Sequence, residues 1–207
     1  MSPKPDVSEK RKAEIIEAAV KVFSVQGLGA RLEDVSTEAN ISKATIYLYY
    51  KSKDAVVESV LDTLFAQPLV DLNNYATESR FACCQLRSMA SGMASAVNGM
   101  MYCMPLIYDF LAMALREKDG IVRTVLRSYF NQVIRTVERV IEVGVANGEL
   151  RDVDPFITAA AFVSGLEGAV VVWTYDPDII DLDKQISANC ELLIKGISRG
   201  EGHVCLD

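Results

Sequence analysis

Between Leu32 and Tyr50 the sequence reads LEDVSTEANISKATIYLYY, and its side chains sort into two sets. Val35, Ala39, Ile41 and Ile46 are apolar at positions that would lock two short helices across a tight turn. Ser36 is small where such helices come closest. Asn40 stands at the turn itself, which calls for left-handed backbone, and Asn tolerates that conformation better than other non-glycine residues. The second set is Ser42, Lys43, Thr45, Tyr47 and Tyr49, all after the turn. Hydroxyls and an ammonium grouped on one short helix suit phosphates and the edges of nucleic-acid bases.

Other chemistries find little support. The one histidine, His203, lies near the C-terminal end. No nucleophile–base pairing, phosphate loop or metal-ligand spacing occurs, so no enzyme activity, metal or cofactor is expected. Five cysteines (Cys83, Cys84, Cys103, Cys190 and Cys205) are odd in number and lack a C-x-x-C pair. That supports neither a disulfide framework nor a zinc site and predicts reduced, partly buried thiols in a cytoplasmic protein. The first eleven residues alternate charge and proline and read as no signal peptide. With 207 residues, half of them hydrophobic and 24% charged, the chain has enough apolar material for a real core. The formal charge is −7, unevenly spread. Residues 1–53 hold nine basic and seven acidic residues, and the remainder twelve and twenty-one. A basic end on an acidic body can still dock on a polyanion.

The elements that must position these groups read as helices throughout, with no alternating strand pattern. Ser8 is an expected N-cap for a first helix in which Ile16, Ala19, Val20 and Phe23 recur, ending at Gly27. Short helices follow from about Leu32 to Ala39 and, capped by Ser42, to Tyr49. A fourth carries Val56, Val57, Val60, Leu61, Leu64 and Phe65 until Pro68 kinks or ends it. Further helices are expected at about 80–98, 105–116, 121–147, from Asp154-Pro155 to Tyr175, and 183–198. The fold class is therefore all-α, with about nine helices. The segment Pro155–Tyr175 is long enough to span a membrane, but Glu167 and its acidic flanks favour a fully buried helix instead.

At these residues the chain resembles the tetracycline-repressor (TetR) family of bacterial transcriptional regulators. The matches come in order. They are Phe23-Ser24-x-x-Gly27, Leu32-x-Asp34-Val35, then Ala39-Asn40-Ile41-Ser42-Lys43-Ala44-Thr45-Ile46-Tyr47-x-Tyr49-Tyr50-x-Ser52-Lys53-Asp54. A Gly144-x-x-x-Gly148-Glu149-Leu150-Arg151 stretch resembles the end of that family's long seventh helix. Asn40 and Ala44 stand where the family usually has Gly, Tyr50 where it has Phe, and Arg31 where Thr or Ser caps the second helix.

The resemblance implies a helix-turn-helix DNA-binding domain over residues 1–53 and a ligand-binding and dimerisation domain over 54–207. It places Lys43, Thr45 and Tyr49 in the major groove, with Lys43 suited to guanine. Ser42, Tyr47 and Arg31 would contact the backbone, and Lys53 would clamp a phosphate at the start of the fourth helix. The implied function is repression by a homodimer on a palindromic double-stranded operator, relieved by a small apolar or cationic inducer. The alternative is a helical small-molecule-binding or scaffolding protein whose helix-turn-helix is only structural.

In the second domain the candidates rest on residue type. Met89, Met93 and Met104, with Tyr108, Phe110 and Trp173, would line an adaptable apolar ligand site. The helix from Asp154 has no polar face and is rich in small residues. That predicts a dimer interface through Phe156, Ala160, Val163, Leu166 and Val170, with no membrane involved.

Overall fold

The computed structural model describes residues 7–77, 81–117 and 119–200. Among them nine α-helices occur: α1 (Val7–Gln26), α2 (Leu32–Glu38), α3 (Lys43–Tyr49), α4 (Lys53–Tyr75), α5 (Ala82–Gly99), α6 (Met104–Arg116), α7 (Ile121–Ala146), α8 (Pro155–Tyr175) and α9 (Leu182–Ile197). A 3-10 turn, Met101–Cys103, precedes α6, and one isolated antiparallel bridge joins Leu150 to Ser198. The all-α expectation holds.

Helix ends follow their capping chemistry. Asp154 Oδ1 accepts the Ile157 amide at 2.9 Å with Pro155 at the first helical position, as expected. Asp181 starts α9 in the same way, accepting from the Lys184 amide at 3.1 Å. α7 closes on Gly148 at φ 75°, with the Glu149 and Gly148 amides donating back to Gly144 and Val145. This is the double hydrogen bond of a left-handed helix stop.

Three local expectations are corrected. Ser8 lies inside the first turn of α1 rather than before it. Pro68 does not end α4, which continues to Tyr75. Proline removes one amide from the ladder, and the helix carries that loss although no residue from 68 to 75 is buried. Cys84 is disulfide-bonded, so the thiols are not all reduced, whereas Cys83, Cys103 and Cys190 are buried thiols. His203 and Cys205 lie outside the described residues.

The chain separates into two compact units. The first comprises residues 1–65 and 102–127, the second 66–101 and 128–207. α4 and α7 each contribute a part to both.

In the first unit α1 packs on α2 and α6, and α2 on α3. Its core is Ile15, Ala19, Phe23, Val35, Ile46, Val60, Leu106 and Phe110, none of them accessible to solvent. In the second, α9 packs against both α5 and α8, over Leu86, Met89, Ile141, Leu150, Leu166, Ile186 and Ile194. Gly144 is required there, because a Cβ would come within 2.7 Å of Ala82 and Leu150. Arg87 of α5 and Glu191 of α9 form an ion pair across this core's edge, with Nη2 at 3.0 Å from Oε2.

Among the described residues one helix, α8, is long and apolar enough to cross a membrane by length and composition, and a third of its apolar stretch is buried. Within this chain the helix is therefore covered on one side, and the remaining side is left for the second subunit that the sequence led us to expect. Its apolar residues run all the way round, while the chain supplies packing partners for one side only.

Candidate nucleic-acid interface

The helix-turn-helix is fixed from its backbone outward. Asn40 adopts φ 52°, and among the described residues no other non-glycine has positive φ. Around it the Asn40 amide donates to Thr37 at 3.1 Å and the Ile41 amide to Ser36 at 2.9 Å. That double bond stops α2 and turns the chain by the same device that ends α7. Of the side chains expected to lock the two helices, Ile46 and Val35 are fully buried and Ala39 and Ile41 half-buried. Ser36 is buried, with its hydroxyl turned back to the Glu33 carbonyl at 2.8 Å.

α3 then presents its exposed side. Ser42 caps it, Oγ accepting from the Thr45 amide at 3.1 Å, and the two hydroxyls sit 2.8 Å apart. Lys43, the first helical residue, is exposed, with its ammonium 5.8 Å from the centre of the Tyr47 ring, one turn on. Tyr47 is itself exposed, whereas Thr45 and Tyr49 are half-buried. Leu48, absent from the expected set, is 81% exposed beside them.

Arg31 is exposed at the start of α2. A guanidinium has no acceptor with which to cap, and the missing acceptor is partly offset by Asp34, whose Oδ2 accepts the Arg31 amide at 3.1 Å. Lys53 has a partner within the chain. Its ammonium donates to the Leu28 carbonyl at 2.6 Å and stands 5.8 Å from the Phe23 ring, tying the start of α4 to the α1–α2 loop.

Sequence reasoning missed one contact altogether. Lys43 donates a short hydrogen bond to Glu33 on α2. The bond holds the Glu33 carboxyl below the usual range and raises the Lys43 ammonium. The two are ten residues apart, a separation to which no helical spacing rule applies.

The regulatory candidates fall in both units. Met89, fully buried, and Met93, half-buried, lie on α5 in the second unit with half-buried Trp173 of α8. Met104, Tyr108 and Phe110 lie on α6 in the first unit, the first and last of them buried. Of the interface candidates, Val163, Leu166 and Val170 are buried within this chain, Ala160 is half-buried and Phe156 is 42% exposed. The outward stripe of α8 is instead Ile157, Ala161, Ser164, Gly168, Val171 and Tyr175, one residue per helical turn.

Two further polar features escaped the sequence. Burial raises the Glu167 carboxyl of α8, and burial followed by the Glu167 charge pushes the Tyr129 phenol up to about 12. A recess of about 230 Å³ between α5 and α9 is lined by Arg87, Ser91, Asp183, Ser187, Cys190 and Glu191 among others.

The fold and this surface define a helix-turn-helix transcriptional regulator. Residues 15–60 match the family described as bacterial regulatory proteins, tetR family. Among relatives, the HTH-type transcriptional regulator YfiR of Bacillus subtilis is 26% identical over 177 residues, covering 83% of this chain and 84% of that one. Among solved structures, SmeT, the repressor of the Stenotrophomonas maltophilia multidrug efflux pump SmeDEF, superposes with a TM-score of 0.73. It is 17% identical and covers 93% of each chain. FadR of Bacillus subtilis, in complex with stearoyl-CoA, gives 0.73 at 20% identity, over 89% of this chain and 98% of that one. At such identities the structural likenesses speak for the fold alone.

Proposed function

We propose that this regulator is a cytoplasmic repressor, without enzymatic activity, that binds a palindromic operator as a homodimer and is released by a small apolar or cationic ligand. The observation that carries the DNA reading is α3. Its capped, rigidly turned helix exposes Lys43 and Tyr47 together, with Ser42 and Arg31 at its edge for phosphates. Residues 1–53 would hold the DNA-binding surface, and residues 54–207 the ligand and the second subunit.

The dimer reading is supported by the outward apolar stripe of α8, an area that a second copy would cover. The ligand reading is supported by Met89, Met93 and Trp173 in the second unit, and by the Glu167 carboxyl of the same unit, whose burial would favour a cation or a neutral hydrogen-bond donor. FadR was solved with stearoyl-CoA and SmeT also with triclosan. Ligand binding would shift α4 and with it the separation of the two recognition helices, which must match major grooves about 34–36 Å apart.

The test is a titration of the purified protein against the DNA upstream of its own gene and against scrambled DNA, at two salt concentrations. Selective, salt-sensitive binding that weakens roughly ten- to a hundredfold in Lys43→Ala is expected. Equal affinity for both DNAs, unchanged by the substitution, would reduce the helix-turn-helix to a structural element.

A further inference from the structure

We propose that Glu33 is the specificity-setting partner of Lys43: its carboxylate withholds the ammonium from DNA phosphates while leaving it able to read a base. This rests on the DNA-binding reading above and deepens it. Glu33 sits in the first turn of α2 and Lys43 at the start of α3, joined by the short hydrogen bond from Nζ to Oε1. The ring of Tyr47 borders the same ammonium. The Arg31 guanidinium is also close enough to act on both charges. The pair thus lies on the face that would meet DNA, with a second cation nearby.

The physics discriminates between two acceptors. A lysine ammonium has three N–H donors, of which Glu33 takes one. Guanine offers N7 and O6, which are neutral, so the remaining donors can reach them with the carboxylate still in place. A phosphate carries a full negative charge and meets Glu33 at close range. The repulsion is weak while both side chains are half-exposed to water, and grows as the interface excludes it. The penalty therefore falls on backbone contact, which every sequence offers, and spares base contact, which only the right sequence offers. Lys43 is also held in one region of space before DNA arrives, which lowers the ordering cost of reading a base.

The experiment compares the full-length protein with Glu33→Gln, Lys43→Ala and the double variant, on operator and scrambled DNA over a salt series. Glu33→Gln keeps the side-chain shape at an exposed helical site, and a melting curve checks that it folds. In Glu33→Gln, affinity for scrambled DNA is expected to rise about eightfold near ~0.1 M salt, as one added phosphate contact would give, and its salt slope to steepen by about 0.9. Operator affinity should change less, so that selectivity falls, and the gain should vanish in the Lys43→Ala background. An unchanged selectivity, or the same gain without Lys43, overturns the proposal. If the unsubstituted protein shows no operator preference, the DNA-binding reading fails and this one with it. Selective binding that Glu33→Gln leaves unaltered removes only the role given to Glu33.

Discussion

The helix-turn-helix and the α8–α9 pair are both helices packed against helices, yet they are built on opposite terms. From Arg31 to Tyr50 nearly every constraint is local. A positive φ at Asn40, a cap at Ser42 and two back-turned amides fix the turn, and a few buried side chains lock it. In α8–α9 the local signals set only the ends, through Asp154 and Asp181. Everything else is long-range burial, and one side of α8 is left apolar and outward. Short, locally determined helices can display polar side chains because their geometry does not depend on what those side chains touch. Long apolar helices take their position from what covers them.

Substitutions can separate the two modes. The largest effect belongs to the long-range region. Leu166→Ala, at a side chain only 3% exposed, should cost ~2–5 kcal/mol by transfer and cavity terms. Chemical denaturation measures it, and a loss under ~1 kcal/mol would mean that α8 is not held by its buried face. An intermediate effect belongs to the turn. Asn40→Ala forces a β-carbon residue without a helping polar side chain into left-handed backbone, at ~1 kcal/mol, whereas Asn40→Gly should be neutral or better. Equal melting temperatures for the two variants would show that the turn is not set by backbone conformation.

The smallest effect is the Arg87–Glu191 pair. The Arg87 guanidinium holds the Glu191 carboxyl below the usual range. A depressed carboxyl stabilises the fold above its unfolded value and loses that contribution as pH falls through the folded one. Glu191→Gln should therefore cost under ~1 kcal/mol at neutral pH, with the difference closing below about pH 4. A constant difference across that range would assign the loss to packing instead.

The same contrast explains what could be read from the residues alone. The turn at Asn40, the cap at Ser42, and the starts and stops at Asp154, Gly27 and Gly148 are properties of one residue and its immediate neighbours, and they are visible without a fold. The face of α8 that stays outward is not, because a helix apolar on all sides carries no mark of which side its neighbours cover. Val163, Leu166 and Val170 look no different in sequence from Ile157, Val171 and Val172. The Lys43–Glu33 bond was hidden for a related reason. It joins two helices through the turn, so it exists only once the turn has been made. The hydrogen bond from Lys53 to the carbonyl of Leu28, 25 residues earlier, was hidden in the same way.

Pro68 gives α4 a property of timescale. It has no amide to donate to the Leu64 carbonyl, so the ladder of a 23-residue helix is interrupted once, seven residues before its end. Amide hydrogen exchange should divide the helix there. The turns before Pro68, anchored by Val56, Val60 and Leu61, would exchange slowly and together. Those after it, where Val70 is 54% exposed, would open independently and faster. A single helix would thus carry two clocks, set apart by one missing hydrogen.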